Sequence, residues 1–110
     1  MSIEKVQLIK GFKDLLILGE DGKVEYQHSS SENAIKADIL AGFLASAFTV
    51  AENATFSFVG NLMELAFDGI SGSVLLIQNK EHYFFLILDG TPSMGIARLK
   101  LRELADEYVL

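Results

Sequence analysis

The longest apolar stretch of the chain runs from Ala34 to about Val59, with no proline and a single glycine. That pattern predicts an α-helix. Advancing about 100° per residue, Ile39, Leu40, Phe43, Leu44, Ala47, Phe48, Val50, Ala51 and Phe58 share an arc of roughly 180°. A helix resting on one sheet needs a stripe of only about 100°, so this one is expected to pack against two things. The opposite arc carries small or short polar side chains: Gly42, Ala45, Ser46, Thr49 and Asn53. Two readings stay open, a well-buried central helix and a helix that also makes a subunit or partner contact. The end of the helix is open too. Ala54–Val59 alternates apolar and polar, which allows a strand, and Gly60-Asn61 reads as a left-handed stop.

The same reading orders the rest of the chain. Ile3, Val6 and Ile9 recur every third residue in Ser2–Lys10, which predicts a short helix ended by Gly11. Lys13–Leu18 and Lys23–His28 flank Gly19–Gly22, and Asp21-Gly22 suits a tight hairpin reversal. Ser29–Asn33 is a polar connector whose side chains can cap the long helix. Leu62–Asp68 alternates imperfectly, with Met63, Leu65 and Phe67 on one face and Glu64, Ala66 and Asp68 on the other, as an edge strand does. Ser73–Gln78 and Tyr83–Leu88 are nearly continuous apolar runs, as is Leu15–Leu18. Such runs mean strands covered on both faces. With turns at Gly69–Gly72 and Asn79–His82, the three later strands form an antiparallel meander. Thr91 suits the N-cap of the last helix and Pro92 its first position. There Met94, Ala97, Leu101, Leu104, Ala105 and Tyr108 share an arc of about 100°. Ile96, Leu99 and Leu110 lie opposite, beside Lys100 and Glu103, where a second contact patch is an open alternative to scattered surface residues.

Composition adds bounds. One domain of 110 residues, spanning 1–110, builds a core without disulfides or metal. There is no cysteine, hence no disulfide framework, thiolate zinc site or cysteine nucleophile, which fits a cytoplasmic setting. Fifteen acids against nine bases give a net charge of −6, which argues against binding nucleic acid through its phosphates. No signal peptide opens the chain, and no run of about 18 apolar residues is expected to insert in a membrane. Half the residues are hydrophobic and 22% are charged, so surplus apolar surface is expected to enter an oligomer interface.

No site chemistry stands out. There is no GxxxxGK[ST] or strand-led GxGxxG motif, and Gly69-Ile-Ser-Gly72 reads as a turn. His28 and His82 sit at strand ends without ligand spacing. Glu20 and Asp21 read as a solvated turn rather than a metal site, and the serines near His28 lack a held base. No catalytic residue, cofactor or metal is expected, and the chain is read as not an enzyme.

The order short helix, hairpin, long helix, meander, helix resembles the Roadblock family: Roadblock-type dynein light chains, Ragulator-type scaffolds and bacterial regulators of Ras-like gliding-motility GTPases. The resemblance rests on Gly11-Phe-Lys-Asp-Leu-Leu-Ile-Leu with Asp21-Gly22, and on the Ala-rich helix at Ala34–Ala54. It continues through Gly60-Asn-Leu-Met-Glu-Leu-Ala-Phe-Asp-Gly and Phe85-Leu-Ile-Leu-Asp-Gly-Thr-Pro-Ser-Met-Gly-Ile-Ala-Arg-Leu. A departure is the very short first helix. The resemblance implies an α+β, three-layer α/β/α sandwich with a central five-stranded antiparallel sheet, Roadblock- or profilin-like, the long helix on one face and the terminal helices on the other. It further implies a homodimer through the long helix and the edge strand after it, and binding of a small Ras-like GTPase whose hydrolysis is promoted without an inserted arginine. The partner and dimer residues expected on this basis are Asp38, Ala41, Gly42, Ala45, Ser46, Thr49, Asn53, Met63, Leu65 and Phe67. A light-chain-like adaptor without a GTPase, or a small ligand-sensing domain, is the alternative. A chain ending at Leu110 leaves little room for an output module, which disfavours the sensor.

Overall fold

A computed structural model describes residues 2–29, 37–79, 81–90 and 94–108. The elements are α1 (Ser2–Gln7), β1 (Phe12–Leu18), β2 (Val24–Ser29), α2 (Ala37–Val59), β3 (Glu64–Asp68), β4 (Gly72–Asn79), β5 (His82–Asp89) and α3 (Met94–Tyr108). The strands form one antiparallel sheet in the order β2-β1-β5-β4-β3, so β2 and β3 are its edges. The meander and the hairpin meet where β1 pairs with β5, Leu16 opposite Phe85.

The continuous apolar runs do what their composition requires, because side chains alternate between two covered faces. Leu15 and Ile17 of β1, Leu75 and Ile77 of β4, and Phe84, Leu86 and Leu88 of β5 form one core with α1 and α3, through Val6, Ala97, Leu101, Leu104 and Ala105. Leu16, Leu18, Leu76 and Phe85 form the second core, closed by Ala41, Leu44 and Phe48 of α2. The long helix thus has one face of the sheet to itself, and the terminal helices share the other.

The first helix is shorter than expected and ends at Gln7; the next turn is closed by the Leu8 N–H donating to the Glu4 carbonyl (3.2 Å) and the Ile9 N–H to that of Val6 (3.1 Å). Gly11 follows at φ +87°, and a Cβ there would stand 2.5 Å from the Asp89 carbonyl oxygen, so the crossing of this loop with the end of β5 requires glycine. In the hairpin tip, Asp21 Oδ1 accepts the Lys23 N–H at 3.0 Å, so this acid closes its own turn. Capping by Ser30–Asn33, and the roles given to Thr91 and Pro92, lie outside the described residues.

The helix, not a strand, takes Ala54–Val59. Thr55 Oγ1 donates to the Ala51 carbonyl (2.8 Å), the Gly60 N–H donates to Phe56 (2.8 Å), and Gly60 at φ +73° ends the helix as expected. The strand after it therefore starts late, at Glu64. Leu62 instead gives its N–H to Glu52 Oε2 (2.8 Å), and the Met63 carbonyl accepts from Gln78 (3.1 Å). One further correction follows from the unbroken helix: Ile39–Val59 is long and apolar enough, by length and composition, to cross a membrane. Here one stripe of that segment seals a sheet.

Candidate functional site

The residues of α2 that touch the sheet show how the helix is rolled. Ala41 is 2% exposed and Phe48 1%, with Leu44 buried between them and Leu40 and Ala45 packed alongside. The sheet-facing stripe is therefore turned by roughly 90° from the arc its large apolar residues suggested. Ala41 and Ala45, both expected among the partner and dimer residues and Ala45 on the outward strip, pack inward against the second core. Ile39, Phe43 and Val50, expected inward, point out, Phe43 being 72% exposed. The sheet takes one edge of the apolar arc, Leu40, Leu44 and Phe48, together with Ala41 and Ala45 beyond it, and leaves the other edge, Ile39, Phe43 and Val50, outside.

What this leaves outside is a surface of large apolar groups. Phe43, Ala47, Val50 and Ala54 of α2 face Leu65 and Phe67 of β3 across an open groove of about 440 Å³. Leu65 and Phe67 stand opposite Leu76 and Val74, on the α2 side of the sheet. β3 pairs with β4 alone, so one side of its backbone has no strand partner. Of the expected partner residues, Gly42, Ser46, Thr49 and Asn53 are exposed along α2, and Met63 and Phe67 along the edge; Leu65 is half-buried. Asp38 lies in the first turn of α2. Thr49 Oγ1 donates back to the Ala45 carbonyl (3.1 Å), leaving the helix outline smooth there. The structure thus gathers six of the expected residues, Gly42, Ser46, Thr49, Asn53, Leu65 and Phe67, along one helix face and the α2 side of one strand edge; Met63, expected on the same face as Leu65 and Phe67, precedes β3 and lies instead beside Ile77, Arg102 and Ala105 on the α3 side of the sheet. Ile39, Phe43 and Val50, which the sequence had assigned to the core, join the six.

The other face of β3 is polar and tied down. Glu64 accepts from Arg98 Nε at 2.6 Å and from Arg102 Nη2 at 2.8 Å. These are the two arginines of the chain, and α3 holds both on the sheet face away from α2. Glu64 as their shared acceptor was not legible beforehand, because Glu64 and Arg98 are 34 positions apart. The histidines take structural contacts. His28 lies against Phe12, with ring centroids 5.7 Å apart, and His82 Nε2 is 3.2 Å from Glu25 Oε1. Tyr108 donates to that same oxygen (2.9 Å) and stacks edge-on against His82. Burial, then the hydrogen bond to Glu25 and the charge of Glu25, raise the Tyr108 pKa above its ordinary 10.0.

A three-layer sandwich whose long helix has one sheet face to itself defines a fold shared by two groups of solved structures. The fold is that of Roadblock/LC7 domains, and more distantly of profilin. Gliding protein MglB from Thermus thermophilus superposes with a TM-score of 0.79 at 16% identity, over 96% of this chain and 81% of that one. A Roadblock/LC7 domain from Streptomyces avermitilis gives 0.80 at 14% identity, over 96% and 88%. Profilin II of Acanthamoeba castellanii gives 0.63 at 19%, over 90% and 86%. Among curated proteins, the uncharacterized protein MJ0310 of Methanocaldococcus jannaschii is 23% identical over 99 residues, 89% of this chain and 85% of its own length. No family model matches the chain.

Proposed function

We propose that this chain is a non-enzymatic, cytoplasmic homodimer that regulates or scaffolds a small Ras-like GTPase. The observation that carries the reading is the continuity of exposed apolar surface from Ile39, Phe43 and Val50 on α2 to Phe67 on the unpaired edge β3. Two copies related by a two-fold axis would cover each other's edge and groove, since an isologous contact uses the same patch twice. The paired long helices would then present Gly42, Ser46, Thr49 and Asn53 as a smooth double ridge. Small side chains on such a ridge let a partner backbone come close. The Roadblock resemblance suggests a small GTPase as the partner, and the likeness in fold to a gliding protein, MglB, supports that choice.

The test measures GTP turnover by a Ras-like GTPase encoded alongside this protein, with and without it. Co-elution of the two, with faster hydrolysis, supports the regulator; co-elution with unchanged hydrolysis supports the scaffold. Thr49→Arg should abolish co-elution by bulk and charge on the ridge while leaving the chain dimeric. A GTPase that binds Thr49→Arg as well as wild type would sink the ridge as the docking face.

A further inference from the structure

The sheet face away from α2 carries a second depression, between α3 and the chain leaving α1. Leu8, Ile9 and Ile96 line it with Lys5, Lys10 and Lys100, around an open volume of about 290 Å³. Leu8 is 84% exposed and Ile96 54%, so the apolar part is an unusually accessible surface. The charges are unusual as well. Seven of the nine basic residues are described, and Lys13, Lys23, Arg98 and Arg102 each have a carboxylate within 4.0 Å. The other three, which make no ion pair among the described residues, are the three that surround this groove. In a chain of net charge −6, the basic side chains without an ion pair among the described residues are collected around one apolar depression.

We infer that the groove docks an acidic amphipathic segment of a partner protein, its apolar side chains on Leu8, Ile9 and Ile96 and its carboxylates on Lys5, Lys10 and Lys100. A concave apolar floor takes anchoring side chains, as helix-in-groove recognition does, and the ammonium groups at the rim select carboxylates and speed encounter. A lipid surface fits less well, because stable anchoring takes a larger apolar insertion or a longer polybasic patch than three lysines. The groove and the α2–β3 surface lie on opposite faces of the sheet, so the segment binds whether or not the chain is dimeric.

The experiment titrates the isotope-labelled full chain with helical peptides of about 16 residues, carrying a leucine face in several spacings with flanking glutamates, and with the same peptides in which lysine replaces glutamate. Amide shifts should saturate and centre on Leu8, Ile9, Ile96 and Lys100. The charge-reversed peptides should not bind. Combining Lys5→Glu with Lys10→Glu and Lys100→Glu should weaken binding at least about tenfold, and Leu8→Ser by a similar factor. Both changes fall on surface positions, and an unchanged circular dichroism spectrum verifies the fold. The Phe43→Glu variant, altered only on the opposite face, should bind as wild type does. Absence of saturable binding by every leucine spacing, equal binding of the charge-reversed peptides, or shifts centred on α2 and β3 would each overturn the proposal. Sedimentation with vesicles of phosphatidylcholine containing phosphatidylserine, lost on lysine reversal and without peptide binding, would overturn it in favour of lipid.

Discussion

The two helices that cover the sheet make opposite use of their apolar residues. α3 has 15 residues and buries Ala97, Leu101, Leu104 and Ala105, with Met94 and Tyr108 packed at its ends. α2 has 23 residues and, among its described side chains, buries only Ala41, Leu44 and Phe48. Ile39, Phe43, Val50, Phe56, Phe58 and Val59 of α2 are each more than half exposed. The shorter helix is thus the better matched to the face it covers, leaving Ile96 and Leu99 outside, and the longer one is far more over-provided. Burying one Phe or Val side chain stabilises by about 1.5–3 kcal/mol, and this over-provision on α2 is the surface the proposed dimer would cover.

Two phenylalanines five positions apart on α2 separate the two uses. Phe48 is 1% exposed and meets Tyr83 edge-on at 5.6 Å, inside the second core. Phe48→Ala should cost about 3–5 kcal/mol of fold stability, read as an earlier midpoint in chemical denaturation. Phe43→Glu should leave the folded monomer intact and weaken the dimer, because it places an unpaired charge in the groove facing Leu65 and Phe67. An uncompensated buried charge of this kind corresponds to about 10²–10³-fold in Kd. Light scattering at micromolar concentration should fall from twice 12.1 kDa to 12.1 kDa. A Phe43→Glu chain that stays dimeric would place the contact elsewhere; a wild-type monomer would remove the interface argument and leave the fold standing. Ala45→Glu is the poorer probe, since Ala45 packs toward the sheet and the substitution strikes fold and interface together.

The contrast also separates what the chain made legible from what it did not. Continuous runs such as Leu15–Leu18 and Tyr83–Leu88 announced strands covered on both sides, and the one-sided stripe of α3 announced a helix on a sheet. The alternation of Glu64, Ala66 and Asp68 with Leu65 and Phe67 marked the edge strand. The roll of α2 was hidden, because its apolar arc is wider than the stripe one sheet face covers and extends on to Ala41 and Ala45, so the pattern does not say which part of it meets the sheet. The end of α2 was hidden as well, since the alternation at Ala54–Val59 fits a strand and the helix continues until Gly60. Long-range polar pairing, such as Glu64 with two arginines of α3, leaves no local pattern in a sequence.

The arginines sharpen the comparison from the closed side. Both hold Glu64 on the α3 face, away from the ridge proposed to meet a GTPase. An inserted arginine finger is worth about 10³–10⁵ in rate. Arg98→Ala and Arg102→Ala should each keep most of any stimulation of GTP hydrolysis. A thousandfold loss from either would transfer the docking face to α3. Each pair is well exposed to solvent on its arginine side, so each alanine change should cost no more than about 1 kcal/mol in stability.

The smallest effect concerns the last turn of α3, where the closed face is fastened by polar contacts. Tyr108 donates to Glu25 Oε1 (2.9 Å) from the far end of the helix, and its ring meets those of Phe84 and His82 edge-on at 5.6 and 5.0 Å. Burial and Glu25 raise its pKa above the ordinary 10.0, so the folded chain holds the phenolic proton more tightly than the unfolded chain does. By linkage, the stabilisation is fully present below about pH 10 and is lost as pH rises through the folded-state pKa. Above that range the phenolate also faces the Glu25 carboxylate, with the hydrogen bond gone. Tyr108→Phe keeps both ring contacts and removes the titrating group. Denaturant midpoints compared between pH 8 and pH 11 should therefore fall less steeply for the variant than for wild type, with a modest loss at pH 8 from the missing hydrogen bond. Parallel pH profiles for the two chains would show that Tyr108 fastens α3 by ring packing alone.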